Sequence, residues 1–497
     1  MILDFKQAPA EALSGRFDIA VAGAGPAGQV VARRCAEAGK RVLLLEGGAL
    51  EYTGESQELY VGEELGVGYR GLTGSRLRYF GGSTNHWGGR CRPLDRHDFD
   101  VREDVPLTGW PISYDEVAQY LPEACDILNI GLFNEDRTPV DGSETLVESY
   151  FRWSLEAPFA QMFDGAPVRF DLVWRDWFEA SDAVTTVVNA NVTAVEMDAA
   201  ADRVTGFVVQ GYDGRRVEIA ADHYVVAMGG VENVRLLLNE NRRHQDRLGN
   251  QGGMVGRCWM EHPHQNGGVY VITERLHSHL DRWDLMVDSI YARQKNESIV
   301  APTTAFMRDA NIMSAGLRLR RPNRRPLSEE EIAGAPFIRD LKYGEDYYRV
   351  GVIYMAWEQA PNPDSKLVLT EEKDPLGMYR VGHDWRLLDI DFRTPRACLR
   401  EVAKMLIRTG LGRLRLDDEM LLPGLPDDGG MNGGNHHMGG ARMSATPETG
   451  VVDGDCKVHG VDNLYVAGSA VYPTGGHANP TVNIVQLALR LAKHLTA

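Results

Sequence analysis

Phe17-Asp18-Ile19-Ala20-Val21-Ala22 begins a pattern that recurs along the chain: a short, nearly unbroken apolar run, then glycine, then apolar positions at helical spacing. A run this short and without alternation reads as a strand covered on both faces, as in a parallel sheet. Behind it, Ala27, Val30, Val31, Cys35 and Ala38 fall on one helical stripe, and Gly39 ends it. Residues 40–45 form a second apolar run closed by Glu46. The same switch recurs at Tyr224–Gly230, with a helix from about Val231, and at Asn463–Ser469, with a later helix over Pro480–Leu495. Two further runs, Ala183–Asn189 and Val204–Val209, read as strands, the second leading to a turn at Tyr212-Asp213-Gly214. The alternation predicts an α/β fold with a doubly wound layer.

The first strand-to-helix turn carries chemistry. Gly23-Ala24-Gly25-Pro26-Ala27-Gly28 has the G-x-G-x-x-G spacing. Gly23 permits the tight turn, Gly25 lets the backbone approach a pyrophosphate, and Gly28 lets the helix lie close to the strand. The helix N-terminus, with Pro26 and Ala27, then faces the phosphates. Glu46, ending the next strand, can accept hydrogen bonds from both ribose hydroxyls and repels a 2′-phosphate. The expected ligand is an adenine dinucleotide.

A chain of 497 residues exceeds what one core serves. Aromatic, partly helical patterns fill 111–182, and longer strands with charged loops fill 261–430. We therefore expect a discontinuous, Rossmann-like dinucleotide-binding domain from residues 15–110, 183–260 and 431–497. A second, α+β substrate domain, built on a mainly antiparallel sheet, is expected from 111–182 and 261–430.

The formal net charge of −17 argues against nucleic acid and anionic membranes as partners. No basic, apolar leader and no run of about eighteen apolar residues occurs, so no membrane span and a cytoplasmic location are expected. The six cysteines are scattered without a C-x-x-C pair, which points to buried thiols and to no metal site.

Four segments together resemble the glucose-methanol-choline (GMC) oxidoreductases over nearly the whole length. They are the N-terminal fingerprint; Gly81-Gly82-Ser83-Thr84-Asn85-His86-Trp87-Gly88-Gly89; Val225 to Leu238; and a C-terminal pair. That pair is His436-His437-Met438-Gly439-Gly440-Ala441-Arg442-Met443, and Ala467-Gly468-Ser469-Ala470-Val471-Tyr472-Pro473 through Ala478-Asn479-Pro480-Thr481. The motifs are closest to pyranose oxidase and to fructose and gluconate dehydrogenase-like members. The resemblance implies FAD as cofactor and oxidation of an alcohol to a carbonyl, with hydride passing to flavin N5. It assigns His436 as the general base, by register against Arg442 with His437 adjacent, and Asn479 as its partner.

It further implies that Gly82, Ser83, Asn85, His86 and Trp87 approach the flavin ring. Gly468, Ser469, Asn479, Pro480 and Thr481 would border the cofactor, and Val192 would meet the adenine. In pyranose oxidases a similar Ser-Thr-His-Trp segment carries a histidyl link to FAD. Asn85 is an insertion relative to that segment, which favours packing of His86 over a covalent bond.

These residue types suit the reaction. An alcohol is a weak acid, so a base that accepts protons near neutrality must stand at its oxygen, and imidazole does so. A carboxamide can donate to the developing alkoxide without competing as a base. The expected donor is a small-molecule alcohol: a hydroxyl of a sugar, glycoside or aminosugar, with a non-sugar alcohol, or a flavin protein without alcohol turnover, as alternatives. The electron acceptor, whether dioxygen, a quinone or a protein, is left open. Arg442 is expected to pair with a buried acid, with neutralising a cofactor phosphate as the alternative, and His477 either lines the pocket or packs.

Overall fold

In the computed structural model, described for residues 1–69, 71–133, 139–154, 167–272, 296–319, 323–334, 348–417 and 431–497, the recurring apolar runs do pair in parallel. One six-stranded sheet has the order Ile2–Asp4, Val184–Val188, Val42–Leu45, Phe17–Ala22, Ala221–Val226, Leu464–Val466. Every neighbouring pair in it is parallel. The strands are almost wholly buried, as unbroken Val, Leu and Ala runs require. Helices Pro26–Glu37 and Thr481–Thr496 pack against each other, so the two ends of the chain share one layer.

Two local expectations are corrected. Ala38, placed on the buried stripe, is exposed and caps a helix that ends at Glu37, because Gly39 already takes a φ of 85°. The sheet also begins earlier than expected, at Ile2–Asp4, before residue 15. Three residues are too few to show a period, and pairing with Val184–Val188 supplies what the local pattern lacks.

The second layer is a nine-stranded sheet, antiparallel at every pair. Its central strands are Pro263–Ile272 and Tyr348–Trp357, and Leu146–Trp153 lies towards one edge. Two short strands reach it from segments expected in the nucleotide layer, Arg90–Cys91 and Asn432–Gly433. Helix Asp389–Arg408 turns Leu399, Val402 and Leu406 inward against it. Between the layers runs a continuous apolar core that includes Val21, Leu44 and Val226 from one side and Tyr270, Met355 and Trp357 from the other. All six cysteines are buried and free. No helix among the described residues is long and apolar enough to cross a membrane.

Candidate functional site

The glycine turn closes against the next strand of the parallel sheet. Gly23 has a φ of 104°, and a Cβ there would come 2.5 Å from the Ala227 carbonyl oxygen. A Cβ on Gly28 would stand 1.8 Å from the Gly23 oxygen, so helix and turn touch through backbone. Gly25 differs: nothing lies within 4 Å of its Cβ position, and it caps the helix that Pro26 opens. That open space belongs to a cavity of about 330 Å³.

The cavity wall gathers residues from across the sequence. Gly23, Gly25, Pro26, Ala27, Glu46, Gly82, Ser83, His86, Trp87 and Val192 line it, as do Gly468, Ser469, Asn479, Pro480, Thr481 and His436. Gly28 does not, consistent with its packing position beneath the turn. Asn85 is not on the wall either, against expectation: its amide nitrogen donates to the Phe80 carbonyl at 2.9 Å, as part of the 3₁₀ turn Gly82–Asn85. Facing glycines narrow the cavity, since a Cβ on Gly82 would come 3.3 Å from Gly25 Cα.

Glu46 is buried, and both its oxygens accept backbone donors, Ala24 N–H and Gly48 N–H, each at 2.9 Å. Burial raises its carboxyl above the ordinary range, while those donors and Arg78 oppose the rise. Arg78 also lines the cavity and donates to Asn191 at 2.8 Å. The sequence reading passed over it. A glycine-walled cavity with space at Gly25 and an acid beyond the helix N-terminus fits the pyrophosphate and ribose of a dinucleotide.

The other end holds the imidazoles. His436 Nε2 lies 2.9 Å from Asn479 Nδ2, and His436 Nδ1 lies 2.8 Å from His262 Nδ1. Burial, with the neighbouring His262, His264 and His437, holds the His436 pKa well below its ordinary value, so the ring is neutral at pH 7. His437 points elsewhere. Its Nε2 lies 2.9 Å from the Tyr69 hydroxyl, which itself donates to Glu261 at 2.7 Å. While Glu261 is ionised, Tyr69 gives its one hydrogen to that carboxylate, and His437 Nε2 is then the donor of its pair with Tyr69. The two adjacent histidines therefore present different nitrogens to different partners.

Glu261 joins both networks: its Oε1 accepts the backbone N–H groups of His262, at 2.8 Å, and His436, at 2.7 Å. Burial pushes its carboxyl up to about 7 against these donors. Sequence reasoning missed Tyr69, Glu261 and His262. The dense Glu261-His262-Pro263-His264 cluster was the available signal. His477 does not line the cavity and bonds the Ser314 hydroxyl at 2.6 Å. Arg442, expected to meet an acid, donates instead to the Thr449 and Leu107 carbonyls. His86 borders the cavity, with its pKa lowered by burial.

Comparison with known proteins bears on this arrangement. Residues 361–488 match the family model described as GMC oxidoreductase. Over those residues the chain carries a GMC oxidoreductase domain. GMC oxidoreductases take FAD as cofactor and a CH–OH group as donor. It is similar to a 2-methyl-1,2-propanediol dehydrogenase of Mycolicibacterium austroafricanum, 25% identical over 96% of this chain and 95% of that one. It is also similar to a fructose dehydrogenase large subunit of Gluconobacter japonicus, 24% identical over 84% of this chain and 80% of that one. Among solved structures, a pyridoxine 4-oxidase of Mesorbium loti superposes with a TM-score of 0.59 at 17% identity, covering 96% of this chain and 99% of that one. That last likeness concerns the fold.

Proposed function

We propose that this protein oxidises a hydroxyl of a polyhydroxy compound, a sugar, glycoside or aminosugar, with His436 as general base and Asn479 as its hydrogen-bonding partner. The observation that carries the reading is the 2.9 Å pair between His436 Nε2 and Asn479 Nδ2 on the wall of the cavity that also holds Gly25 and Glu46. A substrate hydroxyl that parts this pair would take over the imidazole lone pair from the amide and meet the freed N–H donor as well. His436 takes the hydroxyl proton, and Asn479 steadies the oxygen as charge develops on it. FAD, when bound, supplies the two-electron acceptor. Two relatives are named for polyhydroxy donors, a propanediol and fructose, which supports this substrate class over a simple alcohol.

In this reading the parallel sheet, from residues 15–110, 183–260 and 431–497 with Ile2–Asp4 added, is the Rossmann-like FAD-binding domain. Residues 111–182 and 261–430, with the short strands Arg90–Cys91 and Asn432–Gly433, supply the substrate domain.

The test is anaerobic mixing of the yellow holoenzyme with a panel of polyols, sugars, glycosides and aminosugars, followed by air. A member of the panel should bleach the flavin, and His436→Ala should slow that bleaching by about 10²- to 10⁴-fold with FAD still bound. Bleaching by none of the panel, or at the parental rate in the variant, would remove the proposal. The rate of recolouring in air then separates dioxygen from a quinone or protein acceptor.

A further inference from the structure

His262 occupies the middle of a hydrogen-bonded chain whose direction is fixed at one end. Its Nε2 lies 2.7 Å from the Gly476 carbonyl oxygen, its Nδ1 lies 2.8 Å from His436 Nδ1, and His436 Nε2 lies 2.9 Å from Asn479 Nδ2. A carbonyl oxygen can only accept, so His262 Nε2 carries the hydrogen. A neutral imidazole has one N–H, which leaves His262 Nδ1 with a lone pair. The contact with His436 then requires the hydrogen on His436 Nδ1. His436 Nε2 is consequently the bare nitrogen, and the amide N–H of Asn479 facing it agrees.

We propose that His262 is a positioning residue which, anchored by the Gly476 carbonyl, fixes the tautomer of His436 so that Nε2 presents its lone pair to the substrate hydroxyl. This rests on His436 being the base.

Both rings stay neutral at working pH: fully buried His262 is lowered to about 4, and His436, beside three other imidazoles, is held well below its ordinary value. The ring of His262 stands nearly perpendicular to that of His436, at 80° with centroids 5.0 Å apart, which suits in-plane nitrogen-to-nitrogen contact rather than stacking. Without an acceptor at His436 Nδ1, the other tautomer would place its hydrogen on Nε2. A substrate hydroxyl would then meet a donor where it needs a base. Backbone spacing alone does not secure the choice, because His437 next door is held as an Nε2 donor by Tyr69 while Glu261 is ionised.

The test uses the holoenzyme labelled with ¹⁵N at histidine, with His436 assigned by its loss in His436→Ala. Parental His436 should show a protonated Nδ1 and a bare Nε2, and a protonated Nε2 would overturn the proposal whatever the activity. His262→Gln can accept from His436 Nδ1 and donate to Gly476, so it should keep that signature and a flavin-bleaching rate near parental. His262→Leu should lose the signature and slow bleaching by about 10²-fold, with FAD absorbance retained. Equal rates in the Gln and Leu variants, fast or slow, would refute the relay. Should the Leu variant not fold, the parental spectrum and the Gln variant still decide. Failure of the base assignment is distinguishable, because His436→Ala would then bleach like the parent.

Discussion

At Gly25 and Gly28, three residues apart, the same missing Cβ has opposite consequences. The Gly25 position opens onto the cavity and has an ordinary φ of −77°, so a side chain there meets ligand space and leaves the fold alone. The Gly28 position runs into the Gly23 backbone, which cannot yield without moving the sheet. Gly25→Val should therefore purify folded, with a parental apo Tm, but colourless. Gly28→Ala should lose at least about 2 kcal/mol of stability through overpacking. Apo melting curves and flavin-to-protein absorbance ratios read both, and a yellow Gly25→Val would contradict the pyrophosphate position. The sequence made this turn legible because glycine spacing is itself the mechanism. It did not make Tyr69, Glu261 or His262 legible, since their role lies in hydrogen bonds between segments nearly 200 residues apart.

At the scale of elements, the parallel strands and their helices followed from apolar periodicity, whereas the device that aims His436 did not. Met260 and Met438 pair across a two-residue antiparallel bridge, and Pro263 pairs with Gly433 just beyond it. Between these pairs only Glu261 and His262 stand opposite the four residues 434–437. The surplus bulges, with Asn435 in the left-handed region at φ 61°, and this re-aims the His436 ring toward His262 and Asn479. A bulge has no period of its own, which is why only its products, the histidines, were readable. Asn and Gly tolerate the left-handed region, and a β-branched residue does not. Asn435→Gly should keep the parental Tm and flavin-bleaching rate. Asn435→Val should lose about 1–2 kcal/mol and slow bleaching with FAD retained. Matching behaviour of the two variants would show that bulge strain does not aim the base.

Across the whole molecule, deep burial of titratable groups sets how stability responds to pH. Among the described residues burial lowers eight imidazoles, His86 and His223 among them, and six of the eight furthest: His97 and His262 to about 4, His264 and His383 to about 3, and His436 and His437 well below 6.5. In the unfolded chain these would titrate near 6.5, so their contribution is complete above that pH and is lost as pH falls toward 4. Four carboxyls are raised to about 7, again chiefly by burial: Asp98, Glu261, Glu358 and Asp391. Their sign is opposite. They favour the fold while protonated, and that contribution is lost as pH rises through 7. Between about 4.5 and 6.5 the unfolded chain gains more protons at the six histidines than the folded one holds at the four acids, so acidification is net destabilising. Above 6.5 only the acids still act, and raising the pH then destabilises. The melting temperature of the FAD-loaded protein at constant ionic strength should accordingly peak between about pH 6.5 and 7 and fall on both sides. A Tm that climbs steadily from pH 5 to 9 would mean that the four carboxyls are already charged in the folded protein. The backbone donors on Glu261, Glu358 and Asp391 would then outweigh their burial.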